Sequence, residues 1–167
     1  DKIRIIANHG SHQKYYHAQV GVNSRLDTLQ AAILDVKLKY LDQYNAARQK
    51  AAAYYDQALA GIPQIQTPQL RPGSTHIYHQ YTLKLSEEVS RDDLKNYLKD
   101  RDIPSMVYYP VPMHLQEAFK DPDQFEEGDF PVSERLSRRV LSLPMHTELG
   151  EEQLHYITQT LKHYFNL

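Results

Sequence analysis

Between residues 24 and 41 apolar side chains recur every three or four positions. Leu26, Leu29, Ile33, Val36 and Tyr40 form one row, and Leu34, Leu38 and Leu41 form a second. That period predicts a helix, and two apolar rows predict a helix that packs on two sides. Ser24 stands where an N-cap is expected, with Asp27 three residues on, beside the free N–H groups of a first turn. A second helical stretch, rich in Ala and Tyr, is expected from about 43 to 59, closed by Gly61-Ile62-Pro63. Neither Gly nor Pro occurs from Val22 to Ala60, and all nine prolines lie at or after Pro63. The chain is therefore read as a helical first third and a mixed remainder. At its start, Lys2 to about Asn8 reads as a helix stopped by His9-Gly10, and 11–22 as a loop.

The remainder changes period. Ile77, His79, Tyr81, Leu83 and Leu85 alternate with polar neighbours, which predicts a strand. Ser90 is expected to cap a helix that turns Leu94, Tyr97 and Leu98 inward. A strand is expected at 105–109, ended by Pro110-Val111-Pro112, then a short helix at 114–119 and a polar loop at 121–129. Pro131 suits the first position of a helix running to about Arg139. Val140 to Leu143 reads as a strand, and 151–165 as an amphipathic helix with Leu154, Ile157 and Leu161 inward. This order predicts an α+β domain, a small sheet with helices on one face.

Composition narrows the function. The apolar share of 41% and charged share of 24% are those of an ordinary globular domain, so a packed core is expected. A net charge of -2 favours neither nucleic acid nor an anionic membrane. With no cysteine, disulfides, thiolate metal sites and cysteine nucleophiles are excluded within the chain, and a reducing, cytoplasmic setting is expected. No apolar run reaches the length of a membrane helix. The nine histidines follow no metal-ligand spacing, so no metal site is expected. Six isolated glycines cannot build a phosphate-cradling loop of the P-loop or dinucleotide kind. Ser142 lies in no nucleophile motif. Glu87-Glu88, Glu126-Glu127 and Glu151-Glu152 read as solvated surface. Thirteen tyrosines against four phenylalanines and no tryptophan suit half-buried packing and contact surfaces.

One segment concentrates chemistry: His9-Gly10, Tyr15-Tyr16, and Gly21-Val22-Asn23-Ser24-Arg25-Leu26-Asp27 leading to Gln30-Ala31-Ala32. Asn23 and Arg25 just ahead of a helix could hold an anion, since an N-terminus offers free N–H groups and a positive dipole end. Local physics alone favours ordinary capping. The segment, however, resembles the recurrent His-Gly…Tyr…Gly-x-Asn-x-Arg-Leu-Asp/Ser-x-x-Gln-Ala-Ala string of the sugar aminotransferases that include the DegT, DnrJ, EryC and StrS enzymes. Two later patches resemble the same family. Tyr108-Tyr109-Pro110-Val111-Pro112-Met113-His114 matches its Tyr-Tyr-Pro-x-Pro-Leu-His, with Met113 for the usual Leu. Leu141-Ser142-Leu143-Pro144-Met145-His146 matches its Leu-Ser-Leu-Pro-Met-His.

The resemblance implies the C-terminal small domain of a fold type I enzyme that uses pyridoxal 5'-phosphate. Residues 1–42 would be the end of the large cofactor domain with the inter-domain helix, and 43–167 the small α/β domain. It implies transfer of an amino group from an amino acid, glutamate foremost, to a nucleotide-linked keto-sugar, in a homodimer with shared active sites. Asn23 and Arg25 would bind the cofactor, while Tyr108, Tyr109 and His114 would approach the nucleotide-sugar. No catalytic residue is expected here: Lys2, Lys14, Lys37 and Lys39 occupy no matching motif, and the family's lysine is expected upstream of Asp1. The chain alone is therefore expected to be inactive. Two alternatives stay open: a sugar dehydratase of the same family, with histidine in place of the lysine, and a non-catalytic ligand- or partner-binding domain.

Overall fold

The computed structural model describes every residue except Lys14 and 120–123. The chain falls into two compact units, Asp1–Asp42 and Gln43–Leu167.

In the first unit, helix α1 spans Lys2–Ala7. A short hairpin follows, β1 (Ser11–Gln13) against β2 (Tyr16–His17), where a loop is expected from sequence. Its strands are too short to show a period. Helix α2 spans Thr28–Leu38, so it begins four residues after Ser24. The expectation that Ser24 caps this helix is overturned for a physical reason. Its N–H donates to Ala7 O (2.9 Å), the Val22 N–H to Ile6 O (2.8 Å), and the His9 N–H to Val22 O (2.9 Å). Those bonds hold 22–24 extended against the end of α1, and the chain can enter a helix only beyond them. Asp27 takes the N-cap position, with no side-chain capping bond. Of the two expected apolar rows α2 carries Leu29, Ile33 and Val36 of one and Leu34 and Leu38 of the other, while Leu26, Tyr40 and Leu41 fall outside it; no residue of α2 is buried, Leu29 being 76% exposed and Leu38 66%.

The helical run breaks at Lys39–Tyr40 and resumes as α3, Leu41–Leu59. In the second unit, α3 buries Ala51, Ala52, Tyr55 and Leu59. A three-stranded antiparallel sheet has the order β3 (Ile65–Gln66), β4 (Tyr81–Leu85), β5 (Val140–Leu143). Register pairs Ile65 with Leu85 and Leu83 with Leu141. The two residues of β3 gave no pattern in the sequence. Helix α4 spans Arg91–Lys99, and the Ser90 hydroxyl accepts from the Asp93 N–H, as expected. Helix α5 spans Pro131–Arg139 with proline in its first turn, and α6 spans Glu151–Tyr164. Tyr81, Leu83 and Leu85 of β4 join Leu141 and Leu143 of β5, Leu94 and Leu98 of α4, and Leu154, Ile157 and Leu161 of α6 in one core with α3. Helix α5 adds no apolar residue to that core.

Three expectations in this unit need correction. The strand expected from Ile77 starts only at Tyr81. The Arg48 guanidinium takes the carbonyls of Tyr78 (3.2 Å) and His79 (3.3 Å), and Tyr78 sits at φ 49°, so the chain turns there. The strand expected at 105–109 shrinks to a single bridge between Met106 and Ser142, after which the chain leaves the sheet. The short helix expected at 114–119 is two 3₁₀ turns, Met113–Leu115 and Glu117–Phe119, interrupted at Gln116. Of the loop expected at 121–129, residues 121–123 lie outside the described residues, and 124–129 form turns.

Candidate functional site

Two places carry the sequence candidates, one in each unit. In the first, Gly10 and Gly21 face each other through bare backbone. A Cβ on Gly21 would stand 2.0 Å from Gly10 N and 2.5 Å from His9 C; one on Gly10 would stand 1.7 Å from Gln19 O. Gly10 also sits at φ 74°, where glycine carries no penalty. The two glycines of the His-Gly and Gly-x-Asn strings thus serve one purpose, a backbone contact no side chain permits. That contact fixes Val22–Ser24 beside α1 and pairs Asn23 with Asn8 across a β-bridge.

From there Asn23 and Arg25 project exposed, ahead of α2. The Asn23 amide has no hydrogen-bond partner among the described residues. The Arg25 Nε donates to Asp27 Oδ1 at 3.2 Å, an exposed pair. An amide and a guanidinium are both donors, and they suit a ligand rich in anionic acceptor oxygens such as a phosphate. The residues present therefore fit the phosphate end of the implied cofactor.

The second place is a groove of about 410 Å³. One wall is Tyr108, Tyr109, Val111, Pro112, Met113 and Gln116; the other is the α5 side, Ser133, Leu136, Ser137 and Val140. The Tyr108–Tyr109 peptide bond is cis, and the two rings meet edge to face with centroids 5.9 Å apart. Tyr109 is 73% exposed and Tyr108 38%, so both can touch a ligand. The lining is mostly apolar with hydroxyl and amide tips, a chemistry that suits rings bearing hydroxyl groups.

His114 is not among the groove's lining residues. Its ring packs on Phe130 (centroids 4.7 Å) and its Nε2 meets Glu134 Oε1 at 3.0 Å, both side chains nearly buried. Glu134 is the residue the sequence reading missed. Its carboxylate also accepts from the Gly128 N–H (2.9 Å) and the Phe130 N–H (3.2 Å). These N–H groups, Gly128 foremost, and the His114 ring hold its pKa below the ordinary carboxylate value. The available signal was a glutamate three residues after a helix-opening proline, placed to reach back over the helix start. Ser142 bonds Thr82 Oγ1 at 2.7 Å. Among the described residues no group of three or more His, Asp or Glu could hold a metal, and no helix is long and apolar enough to cross a membrane.

Comparison with known proteins gives these features a context. A model described as the DegT/DnrJ/EryC1/StrS aminotransferase family matches residues 1–162. The pleiotropic regulatory protein of Geobacillus stearothermophilus is 42% identical over 167 residues, covering 99% of this chain and 44% of that protein. The UDP-N-acetyl-3-dehydro-alpha-D-glucosamine 3-aminotransferase of Acidithiobacillus ferrooxidans is 42% identical over 161 residues, covering 96% and 42%. The crystal structure of S. venezuelae DesV in complex with a ketimine intermediate superposes with a TM-score of 0.89 at 37% identity, covering 98% of this chain and 43% of that one. The chain thus spans less than half the length of the relatives it matches. With the family model running across both the Asn23 segment and the Tyr108–Tyr109 groove, this chain belongs to the DegT/DnrJ/EryC1/StrS aminotransferase family.

Proposed function

We propose that the chain is the C-terminal part of an enzyme that moves an amino group from an amino acid, glutamate foremost, to a keto-sugar carried on a nucleotide. Residues 1–42 would complete the large cofactor domain and the inter-domain helix, and 43–167 would form the small domain. The exposed apolar rows of α2 support this division. Leaving Leu29, Ile33, Leu34, Val36 and Leu38 in water is unfavourable, and the remainder of the parent supplies a surface to cover them. Family membership and the aminotransferase name of the Acidithiobacillus relative support the reaction class.

The observation that carries the reading is the glycine contact that sets Asn23 and Arg25 as donors ahead of α2. The cofactor they fit is pyridoxal 5'-phosphate, which, when bound, serves as the electron sink for amino transfer. In this chain Asn23 and Arg25 bind and orient its phosphate. A donor aimed at such a charged group is worth about 1.5–3 kcal/mol. Asp27 holds the Arg25 guanidinium at one edge. Tyr108 and Tyr109 grip the sugar substrate in the groove, with His114 serving the same segment from behind. The lysine lies in the remainder of the parent, so this chain alone does not transaminate. A homodimer with shared sites, working in the cytoplasm, completes the proposal.

The test is product analysis. The full-length parent is incubated with cofactor, glutamate and a panel of nucleotide-linked 3- and 4-keto-sugars, and products are read by mass spectrometry. An aminated sugar with stoichiometric 2-oxoglutarate is expected. Loss of a hydroxyl without nitrogen gain would replace this reading with a dehydratase, and no conversion of any keto-sugar would leave a binding domain.

A further inference from the structure

Glu134 connects the two walls of the Tyr108–Tyr109 groove. It belongs to α5, whose Ser133, Leu136 and Ser137 line one wall, and it grips His114, which belongs to the 108–116 segment that forms the other. Among the described residues, none of the segment's other hydrogen bonds reaches α5; apart from the Phe119 N–H donating to Gln116 O (2.9 Å), they stay inside it. The Leu115 N–H donates to Pro112 O (3.0 Å), the Gln116 N–H to Met113 O (3.1 Å), and the Gln116 amide to Val111 O (3.3 Å). The bond from His114 Nε2 to Glu134 Oε1 is the polar contact that ties the tyrosine wall to α5.

The carboxylate is well held for that task. Glu134 is 4% exposed, and the same Oε1 that meets His114 accepts from Gly128 N and Phe130 N. Phe130 is the N-cap position of α5, so Glu134 closes the start of its own helix while it holds the facing segment. Because the ionised carboxylate can only accept, His114 must carry its proton on Nε2, and the ring orientation is fixed. The Phe130 ring, tilted against it with centroids 4.7 Å apart, further restricts its motion. Burying a charge is unfavourable, and an apolar pair of the same volume would pack as well. What the buried bond adds is direction: it sets where the 3₁₀ turn, and so Tyr108 and Tyr109 ahead of it, stand relative to α5.

We infer that Glu134 is a positioning residue for the sugar substrate. Acting through His114, it sets the width of the groove and the placement of Tyr108 and Tyr109. This rests on the proposal that the groove takes the nucleotide-sugar. It needs no contact between Glu134 and substrate, and it gives His114 a role at the back of the segment.

Two measurements on the full-length parent test it, with Glu134→Ala, Glu134→Gln and His114→Phe. His114→Phe keeps a ring on Phe130 without the N–H, and serves if Glu134→Ala fails to fold. The first measurement is amide hydrogen exchange at Leu115 and Gln116, which is expected to accelerate in Glu134→Ala and His114→Phe. The second is half-reaction kinetics. The KM for the nucleotide-sugar is expected to rise about tenfold or more, because ångström-scale misplacement costs that much. The half-reaction with the amino donor is expected to stay within about twofold of wild type. Glu134→Gln, which keeps an acceptor for the two backbone N–H groups, is expected to fall between. Unchanged exchange would overturn the link between the walls. Faster exchange with an unchanged sugar KM, or an equal loss in both half-reactions, would overturn the positioning role. If the wild-type parent aminates no sugar, the functional reading itself fails and the positioning role with it, while exchange still reports on the link.

Discussion

Replacing Gly21 with alanine tests how the first unit presents Asn23. The added Cβ would lie 2.0 Å from Gly10 N, 2.5 Å from His9 C and 2.6 Å from Ile6 O. All three are backbone atoms, so no side chain can swing aside. Ordinary contact begins near 3.4 Å, and the two backbones must part by more than an ångström. The adjoining bonds, Val22 N–H to Ile6 O and His9 N–H to Val22 O, are 2.8 and 2.9 Å and cannot survive that displacement. Asn23 is the next residue on the same extended segment and moves with it. If its amide bonds a cofactor phosphate worth about 1.5–3 kcal/mol, losing that bond weakens cofactor affinity by about tenfold to about 150-fold. The assay is a titration of the full-length parent with pyridoxal 5'-phosphate, followed by absorbance. Gly61→Ala is the control, because nothing lies within 4 Å of a Cβ there, and its affinity should stay within about twofold of wild type. Wild-type affinity in Gly21→Ala, with an unchanged melting temperature, would refute the argument from the glycine contact to Asn23.

Other predictions follow from single contacts. The pKa of Glu134 is lowered on folding, so its stabilisation is present above the ordinary value of 4.5 and lost as pH falls through the lower folded value. Melting temperature between about pH 5 and about pH 3 should therefore fall more steeply in wild type than in Glu134→Gln, and equal slopes would contradict this. Tyr81→Phe removes a hydroxyl that donates to Asp56 Oδ1 at 2.5 Å but keeps the ring tilted against Tyr55. Because Asp56 is only half-buried, water replaces part of the bond. A loss of about 1–1.5 kcal/mol is expected in urea unfolding, and a loss above about 3 kcal/mol would mean that packing had changed. Ser90→Ala should cost about 1 kcal/mol in the same assay through the lost cap on α4. The purified chain, supplied with cofactor, glutamate and keto-sugar, should show no turnover; measurable product would place the catalytic lysine within it.

Much of the second unit was legible because period and caps agreed there. Ser90, Pro131 and the acidic start of α6 mark helix ends that the structure keeps, and the alternation of Tyr81, Leu83 and Leu85 gave the central strand. The failures occurred where long-range contacts override local preference. Ser24 has the chemistry of a cap, but its N–H is taken by Ala7 O and the helix starts later. Ile77 and His79 continue the alternation, but Arg48, distant in sequence, turns the chain. Strands of two or three residues, as in β1, β2 and β3, carry too few positions to show a period.

The candidate site was legible through motifs and not through local physics. Read from the sequence alone, Asn23 to Asp27 suit ordinary helix capping without function, a reading the structure does not keep at Ser24. The contact between Gly10 and Gly21, which gives the motif its physical reason, joins residues eleven positions apart and has no local signature. Glu134 was invisible as a partner of His114 because twenty positions separate them and many helices carry a glutamate in the first turn. The groove combines Tyr108 and Tyr109, which the motif marked, with α5 residues that carry no mark in sequence.

Cofactor binding by the Asn23 segment is read by absorbance of the full-length parent on addition of pyridoxal 5'-phosphate and then glutamate, in wild type and in Asn23→Ala. A lysine-dependent band that glutamate converts to the pyridoxamine form is expected, with a titration midpoint raised about tenfold or more in Asn23→Ala. A parent that binds no cofactor, or binds it equally well without the Asn23 amide, would contradict this expectation.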